Sequence, residues 1–199
     1  MSYQTVLFDF DGVLCKEKFY NKTLLPDYQD IYGWIQMNIF GDKELVWKWM
    51  RGKINSAGIN RLVSENTGME YEKLNELYNE SVRGMKLESE VIDMARRLKQ
   101  SGGKIGIVTD NMDIFSQITV FHHQLDKLFD VIINSADQGM LKKDENGKLF
   151  DIALAALGEN IENSLMIDDS SSTIELFRQK GGQGYCFRTT DELKLYLEN

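Results

Sequence analysis

Two short apolar runs, far apart in the chain, each lead into a pair of acidic residues, and this arrangement constrains the fold most strongly. The runs are residues 3–8, which are rich in β-branched and aromatic side chains, and residues 165–167. Short runs of this kind are typical of buried parallel strands, and open α/β sheets bind their ligands at the carboxyl ends of such strands. The four acids that follow the runs are Asp9, Asp11, Asp168 and Asp169. The sequence therefore predicts that four carboxylates lie at one edge of a sheet.

The first acid pair predicts a metal site. Asp9 and Asp11 are separated by one residue, so that in an extended chain they point the same way into one small volume. Two such carboxylates repel each other unless a cation lies between them. A hard divalent cation suits carboxylate oxygens, and we expect Mg²⁺. An isolated Asp-x-Asp more often marks a solvated turn, and it is the second acid pair that favours a site here.

Composition limits the classes of function that the chain can have. Its 199 residues carry a formal net charge of −8, which argues against general binding to nucleic acid or to acidic membranes. The two cysteines, Cys15 and Cys186, form no disulfide framework. Since we also find no signal peptide and no apolar stretch long enough to cross a bilayer, we expect a cytoplasmic protein. An anionic substrate would need local positive charge, supplied by a metal and by lysine.

The second half of the chain predicts an α/β fold. From about residue 85 onward, strands and helices alternate, which indicates a doubly wound parallel sheet. Strands are predicted at 104–109, 131–133 and 184–187, in addition to the two runs that precede the acids. Ser89 and Asp113 are predicted to cap helices, because both precede an apolar stripe with helical spacing.

Residues 15–85 interrupt this alternation with several amphipathic stretches and contain all three tryptophans. One helix is predicted to begin after Asp42 as its cap. Arg51 and Lys53 could reach an anionic substrate, although long basic side chains on a solvated helix are the commoner explanation. We interpret residues 1–14 and 86–199 as a Rossmann-like catalytic core, and residues 15–85 as a small helical cap domain over the site.

With these features in order, the chain resembles the haloacid dehalogenase superfamily over essentially its whole length. The segment Asp9-Phe10-Asp11-Gly12-Val13 resembles the first motif of this superfamily, and Thr109 after a strand resembles the second. A lysine near residue 142 resembles the third motif, and Asp168-Asp169 resembles the fourth. Four motifs in the right order are a far more specific signal than any one of them alone. The helical insertion between the first two motifs resembles the smaller cap type of this superfamily.

The resemblance implies a phosphatase in which Asp9 is the nucleophile and forms an aspartyl-phosphate that water later hydrolyses. Asp11 would protonate the leaving alcohol and then deprotonate the attacking water. Relatives that cleave carbon–halogen or carbon–phosphorus bonds lack an acid at this position, because their leaving groups need no such proton. Asp11 therefore indicates phosphate esters.

The resemblance also implies a phosphate-binding segment. The Thr109 hydroxyl would bind the transferred phosphoryl oxygens, and Asp110 and Asn111 are the adjacent candidates. Asp110 stands where many relatives have asparagine or a small residue, and its charge opposes phosphate unless the side chain turns away. For Asn111, the alternative is that it caps the following helix.

The implied metal ligands are Asp9, Asp11, Asp168 and Asp169. Asp169 would bind Mg²⁺ directly, Asp168 directly or through water, and Asp11 through its main-chain carbonyl. Water and the substrate phosphate would complete an octahedron.

The third motif departs from the family pattern, in which lysine is usually followed by proline. Here the sequence from Gly139 to Gly147 has two consecutive lysines and no proline. Spacing from Gly139 favours Lys142 as the catalytic lysine, whereas spacing back from Phe150 favours Lys143. We choose Lys142, which would pair with Asp9 and the phosphate, and keep Lys143 as the alternative.

These features together predict a Mg²⁺-dependent phosphatase that acts on a small phosphorylated substrate. A phosphomutase of the same superfamily, acting on a sugar phosphate, needs the same acids and is the first alternative. A non-catalytic binding protein that retains the fold is the second. No pattern in the sequence predicts an oligomeric state.

Overall fold

The computed structural model describes residues 4–198, and its centre is a five-stranded sheet in which all strands are parallel. The strands are β1 (Thr5–Phe8), β2 (Lys104–Thr109), β3 (Val131–Asn134), β4 (Ser164–Asp168) and β5 (Gln183–Cys186). Their spatial order is β3-β2-β1-β4-β5. This order confirms the predicted doubly wound α/β sheet. Tyr3, the predicted first residue of the first strand, lies outside the described residues.

The register of the central strand brings the predicted site residues to one edge. Phe8, the last residue of β1, is paired with Ile107 on β2 and with Ile167 on β4. Because the three strands run in parallel, the residues that follow these positions leave the sheet on the same side. Asp9, Thr109 and Asp168 therefore lie at neighbouring strand ends.

Helices cover both faces of the sheet. Those that follow the first strand are α1 (Gln29–Ile35), α2 (Lys43–Met50), α3 (Ser56–Thr67) and α4 (Tyr71–Arg83). The others are α5 (Ser89–Gln100), α6 (Val120–His122), α7 (Leu125–Leu128), α8 (Ser135–Gln138), α9 (Lys148–Leu157), α10 (Ser171–Gln179) and α11 (Thr190–Glu198). Short π-helical turns at Gln36–Phe40 and Phe115–Thr119 extend α1 and precede α6. Among the described helices, none has the length and apolar character needed to cross a bilayer.

The two faces of the sheet have separate apolar cores, as expected for strands buried on both sides. Val6 and Phe8 pack in one core with residues of α5 and α11. Leu7, which points the opposite way along β1, packs in the other core with residues of α9 and α10. Every residue of β1 is buried, so the strand that carries Asp9 is held from both sides.

Helices α1 to α4, which we call the helical block, surround a third apolar core. Its centre is Trp49, which is fully buried and lies against the aromatic rings of Phe40 and Tyr78. The predicted cap of α2 is confirmed, because the Asp42 carboxylate accepts a hydrogen bond from the Leu45 amide at 3.0 Å.

Two predicted helix caps are wrong in detail. Ser89 is the first residue of α5, and Glu88 occupies the cap position. The helical segment after β2 does begin near Asp113, but the Asp113 carboxylate accepts hydrogen bonds from the helical block, mainly from Ser56. A local apolar stripe locates a helix well, but it does not determine which long-range partner a capping side chain takes.

Candidate active site

Asp9 is held rigidly at the end of β1. Its amide donates to the Ile167 carbonyl on β4 at 2.9 Å, which continues the ladder one residue beyond the strand. Its carboxylate Oδ1 accepts from the Phe10 amide at 2.7 Å, and the residue is only 6% exposed. The second oxygen, Oδ2, faces Lys142. The hydrogen bond from the Phe10 amide to Oδ1 thus fixes the orientation of the Asp9 carboxylate, and Oδ2 faces the site.

Lys142 lies between two buried carboxylates. Its Nζ atom is 2.7 Å from Asp9 Oδ2 and 2.6 Å from Asp168 Oδ2, and the residue is 3% exposed. Lys143 instead bonds to the Ser172 hydroxyl at the surface. Of the two candidate lysines, the structure therefore brings Lys142 to Asp9.

The charge balance of this cluster favours a cation. Burial raises the pKa of Asp9 above its usual range, with Lys142 opposing the shift and Asp168 adding to it. For Lys142, burial alone would lower the pKa, but Asp9 and Asp168 together with Asp110 raise it above its usual range. The ammonium therefore stays charged, and one positive charge faces an excess of negative ones.

A divalent metal fits the carboxylates that the structure brings together. Oxygen atoms of Asp9, Asp168 and Asp169 lie within 4.8 Å of one another. Asp168 is fully buried, and its Oδ1 accepts from the Ser170 amide at 2.7 Å. Burial, followed by the charges of Asp168 and Asp11, raises the pKa of Asp169. A cation held by these oxygens would relieve the repulsion and favour their ionised forms.

Gly12 makes room for this arrangement. Its φ of +83° lies in the left-handed region, which favours glycine. A Cβ atom at this position would lie 2.4 Å from Asp169 Oδ2. The glycine of the first motif therefore leaves space for the carboxylate of the fourth, as a metal site shared by both requires.

Asp11 has its side chain outside the carboxylate cluster. It is half exposed and forms an ion pair with Lys18, whose Nζ lies 2.8 Å from Oδ1 and 3.0 Å from Oδ2. The proton-transfer role of its carboxylate and the expected metal contact through its main-chain carbonyl stay predictions.

Thr109 offers an unused hydroxyl. The residue is fully buried at the end of β2, and its Oγ1 forms no hydrogen bond of standard geometry with any residue in 4–198. It nevertheless lies close enough to Asp9 to lower the pKa of that carboxyl. Because leaving a buried hydroxyl unpaired costs free energy, this atom is well placed for an oxygen of a bound phosphoryl group.

Asp110 holds the lysine loop. Its Oδ1 accepts from the Lys142 amide at 2.7 Å, and burial raises its pKa against the opposing charge of that lysine. Asp144 acts on the same loop, because its Oδ2 accepts from the Leu141 amide at 2.9 Å. Two carboxylates thus fix a segment that lacks the proline of the family pattern. A phosphate-binding role for Asp110 stays a prediction.

Asn111 is hydrogen-bonded locally and lies beside the site. Its side-chain oxygen accepts from the Met112 amide at 2.9 Å, which is the amide of the next residue and not one inside the following helix, so the capping alternative stays a prediction. Its own amide donates to Ser135 Oγ at 2.9 Å, and the same hydroxyl donates to the Met50 carbonyl at 2.7 Å. Asn111 therefore links the strand end to the end of α2, and phosphate binding by it stays a prediction.

Three residues that sequence reasoning did not assign to the site join it to the helical block. Arg51 forms a two-pronged ion pair with Asp144, with Nε to Oδ2 at 2.7 Å and Nη2 to Oδ1 at 2.8 Å. Asp113 accepts from both the amide and the hydroxyl of Ser56 and from Trp49 Nε1. Arg51 and Asp144 are 93 positions apart, so no local pattern could have paired them.

A cavity of about 370 Å³ lies beside the strand ends, between them and the helical block. Asp11, Asp110 and Asn111 form part of its wall. Most of the rest is apolar, including Phe10, Phe19, Phe40, Val46, Met50 and Met85. The site therefore has a charged side and an apolar side.

Comparison with known proteins identifies the class of enzyme to which this chain belongs. The family model of haloacid dehalogenase-like hydrolases matches residues 6–181. The chain therefore belongs to this family of enzymes. None of the curated proteins compared with the chain matches it significantly.

Solved structures share the fold at low sequence identity. A haloacid dehalogenase family enzyme from Bacteroides thetaiotaomicron, in complex with magnesium and inorganic phosphate, has a TM-score of 0.70 at 18% identity, over 93% of this chain and 94% of that chain. A hydrolase of the same superfamily from Porphyromonas gingivalis has a TM-score of 0.74 at 16% identity over 100% of both chains. The L-2-haloacid dehalogenase from Xanthobacter autotrophicus has a TM-score of 0.67 at 14% identity, over 98% of this chain and 82% of that chain.

Proposed function

We propose that this enzyme is a Mg²⁺-dependent phosphatase that hydrolyses a small phosphorylated metabolite through an aspartyl-phosphate on Asp9. The observation that carries the proposal is the position of Lys142, which is buried between Asp9 and Asp168 within 2.7 Å of both. The magnesium and inorganic phosphate bound by the Bacteroides enzyme support the proposal of a Mg²⁺-dependent phosphatase. The helical block then serves as a cap over the site.

Each residue has a defined task in this reaction. An Asp9 oxygen attacks phosphorus, while Lys142 and the Thr109 hydroxyl stabilise charge on the phosphoryl oxygens. A bound Mg²⁺, held by Asp9, Asp168 and Asp169, would supply further neutralisation of the phosphate and of the attacking carboxylate.

Proton transfer falls to Asp11. It protonates the leaving alcohol, and it then takes a proton from the water that hydrolyses the aspartyl-phosphate. To do so it must leave Lys18, with which it is paired at 2.8 Å at the solvent-exposed edge of the cavity. Haloacid dehalogenases are also among the structural relatives, but release of halide needs no proton. The acid at position 11 is the feature that favours phosphate esters.

The proposal is tested by turnover of p-nitrophenyl phosphate with Mg²⁺ and with excess chelator. We expect phosphate release with Mg²⁺ and its loss with chelator. Asp9→Asn should lower the rate by about 10⁴-fold or more, because the nucleophile is removed while the shape of the side chain is kept. The matched control is Asp126→Asn, the same change at an exposed acid on α7, which should keep the wild-type rate.

Three results of this experiment would contradict the proposal. They are full activity in chelator, wild-type turnover by Asp9→Asn, or no phosphate release by the wild type. Conversion of a sugar phosphate to its isomer without release of phosphate would favour the phosphomutase instead.

A further inference from the structure

We infer that the alcohol part of the substrate is an uncharged apolar group, a single ring or a short branched chain, and not a sugar or a nucleoside. This inference rests on the proposed function, because it assigns the cavity beside Asp11 to the leaving group. Asp11, Asp110 and Asn111 line the cavity and lie just beyond the carboxyl ends of β1 and β2, so an ester bound at Asp9 would place its alcohol there.

Half of the residues that line the cavity are apolar. Phe10 and Met112 contribute from the strand-end segments, and Phe40, Val46 and Met50 from the helical block. Aromatic rings offer flat apolar surfaces, and methionine side chains adapt to the shape of an apolar ligand. Apolar side chains of both the strand-end segments and the helical block thus line the space that a bound group would occupy.

The charged groups of the wall are engaged within the protein, whereas Gln36 and Thr119 are uncharged polar residues of the same wall. Asp11 and Lys18 pair with each other, and Glu17 is paired with Lys22 at 2.6 Å. The Asn111 side-chain oxygen accepts from the Met112 amide. The hydroxyls of a sugar would lose water on entering and would find few groups to replace it.

The size of the cavity limits the group further. A volume of about 370 Å³ is at the lower end of the range of roughly 300–1,000 Å³ that is typical of small-molecule sites. A single ring fits this volume, whereas a dinucleotide or a long acyl chain does not.

The test compares cyclohexylmethyl phosphate with glucose 6-phosphate, in the presence of Mg²⁺. Both esters attach a six-membered ring to phosphate through one methylene and an oxygen, and they differ in the polar groups of the ring. We expect kcat/KM to be about 10²-fold higher for cyclohexylmethyl phosphate, the scale on which apolar pockets reject a hydroxyl. p-Nitrophenyl phosphate is measured on the same preparation as a reference.

The outcomes separate this inference from the proposed function. Equal rates, or a preference for the sugar phosphate, would overturn the inference and leave the phosphatase intact. Turnover of p-nitrophenyl phosphate alone would do the same, because the cavity would then accept neither ring. Absence of turnover for all three esters would contradict the phosphatase and this inference with it.

A variant then tests the wall itself. Val46→Thr keeps the shape of the side chain but puts a hydroxyl into the cavity, and the preference should fall about tenfold. The control is Val63→Thr, the same change in the core of the helical block, outside the cavity wall. It should leave the preference unchanged, since a ratio measured on one preparation does not depend on the folded fraction. An unchanged preference in Val46→Thr would overturn the assignment of the wall.

Discussion

The strand-end site and the helical block are stabilised by different interactions. In the site, Lys142, Asp9 and Asp168 form buried ion pairs whose oxygen and nitrogen atoms are fixed to within hydrogen-bond distance. In the helical block, the centre is an aromatic cluster around Trp49. Removing one partner of a buried ion pair leaves an uncompensated charge, whereas an apolar core accepts changes of similar size. Substitutions in the site should therefore be tolerated less well than apolar substitutions in the core of the helical block.

The two regions meet through apolar packing, which includes Met112 and Ile114, and through a set of polar contacts. Arg51, at the end of α2, binds the Asp144 carboxylate, and Asp144 in turn holds the loop that carries Lys142. Asp113 accepts hydrogen bonds from three donor groups of the helical block, which are the amide and the hydroxyl of Ser56 and the Nε1 of Trp49. We call these contacts of Arg51, Asp144 and Asp113 the junction. Mutations that act only on the strand-end site and mutations that act only on the junction should therefore have different effects.

The largest effect within the site, after loss of the nucleophile, is expected at Asp11. Asp11→Asn should lower phosphate release from an alkyl phosphate by about 10²–10⁴-fold, because the general acid and base is lost. The loss should be smaller for p-nitrophenyl phosphate, whose leaving group needs little protonation. The measurement is kcat/KM for both esters. Equal losses for both would show that Asp11 does not transfer the proton.

Lys142 should have the next largest effect, and its neighbour provides the control. Lys142→Ala should lower turnover by about 10²–10³-fold, the cost of removing one electrostatic contact to a developing charge. Lys143→Ala should leave turnover close to that of the wild type, because Lys143 bonds to the Ser172 hydroxyl at the surface. Steady-state rates of both variants decide the matter. If Lys143→Ala is the inactive variant, the catalytic lysine has been assigned one residue too early. If neither variant is impaired, no lysine of this loop serves the phosphate.

The junction should show the smallest effect, and mainly on stability. Arg51→Ala should lower the free energy of unfolding by about 1–2 kcal/mol and kcat/KM only severalfold, because a two-pronged, half-buried ion pair is lost. The control is Arg96→Ala, which removes a more exposed pair with Asp93 within α5 and should cost at most about 0.5 kcal/mol. Urea unfolding measures both values.

The difference in free energy of unfolding between wild type and Arg51→Ala should depend on pH, which gives a second check on the junction. The hydrogen bonds from Arg51 lower the pKa of Asp144 below its usual value. The pair therefore contributes its full stabilisation above the unfolded-state pKa of about 4, and loses it as the pH falls through the lower folded-state pKa. The stability difference between wild type and Arg51→Ala should be constant from about pH 5 to 8 and shrink below about pH 4. A difference that persists at low pH would mean that Arg51 acts through packing.

The sequence predicted the parts of the molecule that depend on local pattern. The strand at 104–109 has the predicted bounds, and the other predicted strands differ by one or two residues, because buried apolar runs are strong signals. Spacing from Gly139 favoured Lys142, which the structure brings to Asp9, whereas spacing back from Phe150 favoured Lys143.

The parts that could not be predicted depend on long-range pairing. Asp113 has the local context of a helix cap, yet its carboxylate binds Ser56, 57 positions away. Arg51 has the pattern of a solvated basic residue, yet it binds Asp144 across the junction. Asp110 departs from the family pattern, and only the fold shows that it holds the Lys142 amide. In the first two cases the partner is set by how the helical block meets the rest of the protein, and in the third by how the loop after α8 folds back onto the end of β2.

The central claim, that the buried charges at the strand ends serve phosphate esters, is tested most directly by measuring phosphate and halide release with one preparation. The enzyme is given p-nitrophenyl phosphate in one assay and L-2-chloropropanoate in another, each with Mg²⁺ and with excess chelator. Asp11 and the carboxylates of Asp9, Asp168 and Asp169 predict phosphate release that requires Mg²⁺, and no release of chloride. Chloride release, with or without metal, in the absence of phosphate release would contradict the account.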